Sequence, residues 1–131
     1  MSLIAEYVLD STAVIALLYS EPGHQYVQEV LDKSAVSAVN LAEIVNKLAQ
    51  RGPTSEVVRQ SLVQLKLRVE DWSEGMAYQS VEFAPYSKSH GLSFGDRACL
   101  TLAKQLRATV VTSDKTWRRL PPLGVPIMIF R

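Results

Sequence analysis

The chain has 131 residues, 47% of them hydrophobic and 21% charged, with 14 Lys and Arg against 13 Asp and Glu for a net charge of +1. That length suits a single domain spanning 1–131, able to bury about two-thirds of its unfolded surface, and the composition excludes a disordered or fibrous chain. A single cysteine, Cys99, excludes an internal disulfide or a thiolate metal cluster and reads as a small buried core residue; the longest apolar run, Ala13 to Leu18, is far short of the ~20 residues that cross a bilayer, and no basic segment precedes it as in a signal peptide, so no membrane association and a cytoplasmic location are expected.

In chain order, Tyr7-Val8-Leu9 reads as a short buried strand and Ser11 to Tyr19 as a helix, too long and Ala/Leu-rich to be another strand. A second helix follows Glu21-Pro22-Gly23, with Val27, Val30 and Leu31 on one face. Ala35-Val36-Ser37-Ala38-Val39 reads as a strand. Asn40 is placed to cap the next helix, in which Leu41, Ile44, Val45 and Leu48 recur at helical spacing until Gly52-Pro53 stops it. Thr54 or Ser55 opens a helix through Val58, Leu62 and Leu65, and Leu67-Arg68-Val69-Glu70 is a short strand before Trp72. A further helix runs from Ser73 towards Phe83 and breaks at Pro85. Ser93-Phe94-Gly95-Asp96 starts a long helix with the stripe Cys99, Leu102, Ala103 and Leu106. Thr109-Val110-Val111-Thr112 is the clearest strand, and Val125 to Ile129 the last, its Pro126 pointing to a sheet edge.

Apolar strands alternating with helices imply a parallel sheet covered on both faces. Right-handed crossovers then align the C-terminal ends of the strands along one edge, where open α/β folds bind ligands. Four carboxylates fall near these junctions: Asp10 after the first strand, Glu43 in the helix after the second, Asp96 at the start of the long helix, and Asp114 just past Thr112-Ser113. Each has a local explanation. Asp10 and Asp114 fit helix N-caps, Asn40 with Glu43 and Ser93 with Asp96 fit capping boxes, and Glu43 points away from its helix's apolar stripe. Asp96 differs, because it continues the buried stripe and aims its carboxylate at the sheet edge. Acids gathered there must raise one another's pKa or share a cation. Carboxylate oxygens without cysteine or clustered histidine suit Mg²⁺ or Mn²⁺, ions that serve phosphate chemistry, whereas His24 and His90 stand alone as surface residues.

Charge along the chain is lopsided. Residues 1–32 carry five acids and no Lys or Arg, whereas from Arg97 onward seven Lys and Arg face only Asp114. A basic half beside an acidic edge fits either a polyanionic partner or ordinary solubilising charge. Together these features make phosphodiester hydrolysis the natural expectation.

The segments VLDSTAVIALL, SAVNLAEIVNKL, LSFGDRACLTLAKQL and VVTSDKTWRRL, in that order, resemble the successive signatures of the PIN-domain ribonucleases, and among them the VapC toxins of toxin–antitoxin pairs. The resemblance spans nearly the whole chain. It implies a three-layer α/β/α domain with a mostly parallel sheet of four to five strands, Mg²⁺- or Mn²⁺-dependent endoribonuclease activity, dimerisation, and neutralisation by a VapB-type antitoxin. It also assigns the acidic quartet to Asp10, Glu43, Asp96 and Asp114, with Ser11, Thr112 and Ser113 as polar neighbours of the metal. On this basis Asp10 and Asp96 hold an ion directly, Asp114 does so directly or through water, and Glu43 orients the attacking water or helps to hold a second ion.

Arg97, Lys115, Arg118 and Arg119 cluster about Asp96 and Asp114 as candidate phosphate contacts. Trp72 and Trp117 are either base-stacking or core residues, and Tyr19, Tyr26 and Val30 either a dimer or antitoxin surface or core. A haloacid-dehalogenase-like phosphatase is the poorer alternative, since Thr12 stands where its second Asp is needed. An inactive PIN-like module that binds RNA or protein is the other; an intact quartet argues against it.

Overall fold

The computed structural model describes residues 4–131. Five strands, β1 (Tyr7–Leu9), β2 (Ser34–Ser37), β3 (Arg68–Glu70), β4 (Thr109–Thr112) and β5 (Ile127–Ile129), form one sheet in the order 3-2-1-4-5. Every pairing is parallel. Alternating side chains divide the core between the two faces. Val8, Ala35 and Val110 face one apolar cluster, with Cys99, Leu100 and Leu102, while Leu9, Val36 and Val111 face the other, with Val14, Val27 and Ile44.

Helices α1 (Ser11–Tyr19), α2 (His24–Val30), α3 (Ala38–Ala49) and α4 (Ser55–Val63) cover the second face. The first face is covered by α5 (Glu74–Gln79), the short α6 (Tyr86–Ser89) and α7 (Phe94–Leu106). The expected three-layer parallel architecture is therefore what the chain adopts, with five strands. From β1 the chain winds outward through β2 and β3, then returns to add β4 and β5 on the other side of β1. The winding reverses between β1 and β4, and the crevice beyond the strand ends at such a point is where open α/β sheets bind ligands.

Several boundaries differ from expectation. Ala38 and Val39 open α3 rather than extending the strand, because Ser37 caps the helix by accepting a hydrogen bond from the Val39 N–H at 3.2 Å. Asn40 thus lies inside the first turn of α3 and is not its cap. The helix expected from Ser73 to Phe83 ends at Gln79 and tightens into a 3₁₀ turn over Ser80–Phe83. Sequence reasoning missed α6 and the 3₁₀ turn Lys115–Arg119. As Pro126 suggested, β5 is an edge strand; the Pro126 carbonyl accepts from the Val110 N–H at 2.9 Å.

Trp117 is core, 3% exposed, which removes it as a base-stacking candidate, and Trp72 is half-buried with its ring edge-on to Phe94. Of the suggested Tyr19, Tyr26 and Val30 surface, Val30 is buried against the sheet and Tyr26 half-buried. Tyr19 is exposed, with the Arg51 guanidinium 4.4 Å above its ring. Cys99 is buried, and burial together with nearby Asp10, Asp96 and Glu43 pushes its thiol pKa well up, so it stays protonated and inert. Among the described residues no helix is long and apolar enough to cross a membrane.

Candidate active site

Asp10 leaves β1 and caps α1. One carboxylate oxygen accepts from the Ala13 N–H at 3.0 Å and from the Thr12 hydroxyl at 2.6 Å; the other accepts from the Thr112 hydroxyl at 2.5 Å. A cap needs only the first of these bonds. At 4% exposure Asp10 lies deeper than a surface cap, and burial pushes its pKa up from 3.8 to about 6. The three donors oppose that rise and the neighbouring Asp96 charge adds to it. No cation neutralises Asp10 among the described residues.

The two threonines also tie the strand exits together. Thr12 Oγ1 accepts from the Ser113 N–H at 3.0 Å, and Thr112 Oγ1 accepts from the Asp114 N–H at 3.1 Å. This cross-link spans the β1–β4 crevice. Thr12, which the sequence offered only as a missing acid, turns out to hold Asp10. Its signal was the hydroxyl two residues after a strand-exit Asp, where it can reach back to the cap. Of the expected polar neighbours, Thr112 contributes its hydroxyl and Ser113 its backbone N–H. Ser11 is buried at the start of α1, and its hydroxyl makes no hydrogen bond among the described residues.

Asp96 sits in the first turn of α7, where the expected capping box forms: its carboxylate accepts from the Ser93 N–H at 2.9 Å and Ser93 Oγ accepts from the Asp96 N–H at 3.1 Å. It is half-buried. Burial raises its pKa, the cap bonds oppose the rise, and the charges of Asp114 and Glu43 add to it.

Glu43 is not the solvent-facing residue its helical position suggested. It is half-buried, and Asn40 Nδ2 donates to its Oε1 at 2.8 Å and to the Gly95 carbonyl at 3.0 Å. The capping box expected of Asn40 and Glu43 is therefore replaced by a side-chain bond one turn apart, joining α3 to α7. Asp114 follows β4 and caps the Lys115–Arg119 turn, accepting from the Thr116 N–H at 2.9 Å and the Thr116 hydroxyl at 2.6 Å.

The four acids thus lie at one end of the sheet, with Asp96 electrostatically coupled to Asp10, Glu43 and Asp114. Among the described residues no three or more His, Cys, Asp or Glu side chains are close enough together to hold an ion as they stand. Glu43, Asp96 and Asp114 each turn one oxygen into an Asn40, Ser93 or Thr116 bond, leaving the other without a hydrogen-bond partner among the described residues. Three free hard oxygens beside a buried carboxylate, with no Lys or Arg paired to any of the four among the described residues, are the donor type a small divalent cation takes, once the side chains draw closer.

Basic groups border this end. Arg97 is half-buried, its guanidinium carbon 5.7 Å from the Phe94 ring centre and its Nε buried without a partner among the described residues. Lys115, Arg118 and Arg119 are exposed on the turn after Asp114, and none forms an ion pair among the described residues. An apolar groove of about 550 Å³, lined by Leu41, Val45, Val58, Leu62 and Val69, lies on another flank, and none of the four acids lines it.

Comparison with known proteins bears on the fold that carries these residues. The PIN domain family model matches residues 7–122, a span that includes all four acids. No curated protein matches the chain. Among solved structures, a chain of VapBC2 from Rickettsia felis, bound to a DNA fragment from its promoter, has a TM-score of 0.72 at 22% identity, covering 93% of this chain and 96% of that one. A chain of DNA-bound VapBC from Salmonella typhimurium has a TM-score of 0.69 at 17% identity, covering 95% and 98%. PAE2754 from Pyrobaculum aerophilum has a TM-score of 0.62 at 18% identity, covering 95% and 92%. At these identities the likeness to solved structures is one of fold. With a family model matched over nearly its whole length and a parallel 3-2-1-4-5 sheet beneath, this chain belongs to the PIN-domain family.

Proposed function

We propose that this chain is a Mg²⁺- or Mn²⁺-dependent endoribonuclease, the toxin of a toxin–antitoxin pair. The observation that carries the reading is Asp10: a carboxylate buried at the β1–β4 crevice, coupled to Asp96 and paired with no cation, whose ionised form the fold alone disfavours. At neutral pH the burial of such a charge costs stability, and perturbed carboxylates in clefts mark functional sites.

Asp10, Asp96 and Asp114 would hold the metal, with Glu43 at its flank. When bound, a divalent ion supplies an activated water and neutralises charge on the phosphate. The chain's own residues do the rest. Thr12 and Thr112 orient the Asp10 carboxylate, and their donated hydrogens favour its charged form. Glu43 offers its free oxygen to orient a water at the scissile phosphate. Arg97, Lys115, Arg118 and Arg119 attract the RNA backbone and seat it against the acids.

Solved structures of similar fold include VapBC complexes, in keeping with a cognate VapB-type antitoxin as partner, and we infer a homodimer as the working form. Incubating the protein with fluorescent RNA, with Mn²⁺ or with EDTA, tests the activity. Cleavage that needs the metal and disappears in a folded Asp96→Asn variant is expected. Full metal-dependent cleavage by that variant rejects the assignment, and tight RNA binding without cleavage by the unaltered chain makes it a binding module instead.

A further inference from the structure

We propose that Asn40 and Gly95 are positioning residues for Glu43, a reading that rests on Glu43 belonging to the acidic set. Asn40 is 1% exposed, and both hydrogens of its amide are engaged, one with Glu43 Oε1 and one with the Gly95 carbonyl. Its own Oδ1 is buried with no partner among the described residues. An unsatisfied buried carbonyl weakens a fold, and an apolar residue of this size would serve the packing better. What explains an amide here is what it holds. Aspartate would repel Glu43, and leucine would leave both acceptors empty.

Gly95 supports the same carboxylate from the other side. It lies within α7 at an ordinary negative φ, so the backbone does not require glycine, and alanine is the better helix former. A Cβ at this position would overlap the Glu43 carboxylate. The missing methyl is the seat of Glu43. Between them the two residues fix where its free oxygen points, and they do so across two helices from opposite faces of the sheet, next to Asp96.

Gly95→Ala tests this because it separates the site from the fold. The expected variant melts at or above the temperature of the parent. Its Mn²⁺ affinity, measured by titration calorimetry without RNA, falls about tenfold, and kcat for RNA falls about tenfold or more with KM little changed. Shortening the displaced side chain in the Gly95→Ala/Glu43→Asp double variant recovers part of the Mn²⁺ affinity. A stable Gly95→Ala protein that binds Mn²⁺ and cleaves like the parent overturns the proposal, as does a double variant that recovers nothing. The Asn40 side-chain NH₂ resonance, followed by NMR without metal, provides a reading independent of activity. It shifts in Gly95→Ala if the carboxylate has moved, and an unmoved resonance overturns the proposal even where the parent chain proves inactive. Absence of both Mn²⁺ binding and cleavage in the parent defeats the nuclease assignment, whereas that NMR shift decides the positioning on its own.

Discussion

Replacing Asp10 by Asn should make the metal-free protein more stable while abolishing its function. The folded protein holds the Asp10 pKa near 6 against an ordinary 3.8, chiefly through burial. Because the folded value is the higher one, this group's favourable contribution is complete below pH 3.8 and lost as pH rises past about 6. At about 1.4 kcal/mol per pH unit, the displacement amounts to about 3 kcal/mol. Asparagine mimics the protonated acid: it keeps an oxygen for the Ala13 N–H and needs no charge buried. In EDTA at pH 7.5 the variant is expected to melt about 10 °C above the parent, and at pH 4 the two should nearly coincide. Differential scanning calorimetry across that range, with and without Mn²⁺, is the assay. The metal should raise the melting temperature of the parent and leave the variant unmoved. A variant less stable than the parent at pH 7.5, or a difference that ignores pH, would refute the claim that burial, and not hydrogen bonding, dominates at Asp10.

Thr112→Val keeps the shape of a fully buried side chain but removes a donor that lowers the Asp10 pKa, so an NMR titration of the metal-free variant should place that pKa above 6. Reversing charge at Arg118 and Arg119 should weaken RNA binding and lower the slope of log affinity against log salt by about 0.7 for each phosphate no longer neutralised, measured by fluorescence anisotropy. Phe83, 1% exposed in the cluster with Met76 and Trp117, anchors the 3₁₀ turn to α7; Phe83→Ala should cost about 3–5 kcal/mol in urea unfolding.

Most of the architecture could be read from the chain because its strands are short, apolar and bounded by caps. Tyr7–Leu9 and Thr109–Thr112 coincide with observed strands, and Thr54, Ser73 and Ser93 each cap the helix they were expected to open. Ala38-Val39 misled because Val favours strands, while Ser37 comes before Asn40 and is itself a good cap; its hydroxyl, accepting from the N–H two residues on, outweighed a weak propensity. The earlier start put Asn40 inside the helix, where its amide joins Glu43 to α7, a link no local pattern reveals because the partner, Gly95, lies 55 residues away. The basic Lys115–Arg119 stretch carries no expected element because five residues hold too little periodicity to signal a 3₁₀ turn. Of the two readings open for Trp117, the core one holds. The convergence of the acids on one end was foreseeable from parallel topology alone. Their separation into individually capped groups was not, since it depends on rotamers that follow from neighbours distant in sequence.

The strand that seats Asp10 is made long after Asp10 itself. Thr112 reaches back 102 residues to Asp10, and β1 lies between β2 and β4 in the sheet. A nascent polypeptide released before residue 109 carries Asp10, Glu43 and Asp96 but has no β4 for β1 to rest against and no hydroxyl for the second oxygen of Asp10. A product cut short before β4 therefore lacks both the neighbouring strand and the hydroxyl that hold Asp10, and under the proposed reading the four acids can act together only once β4 has been made.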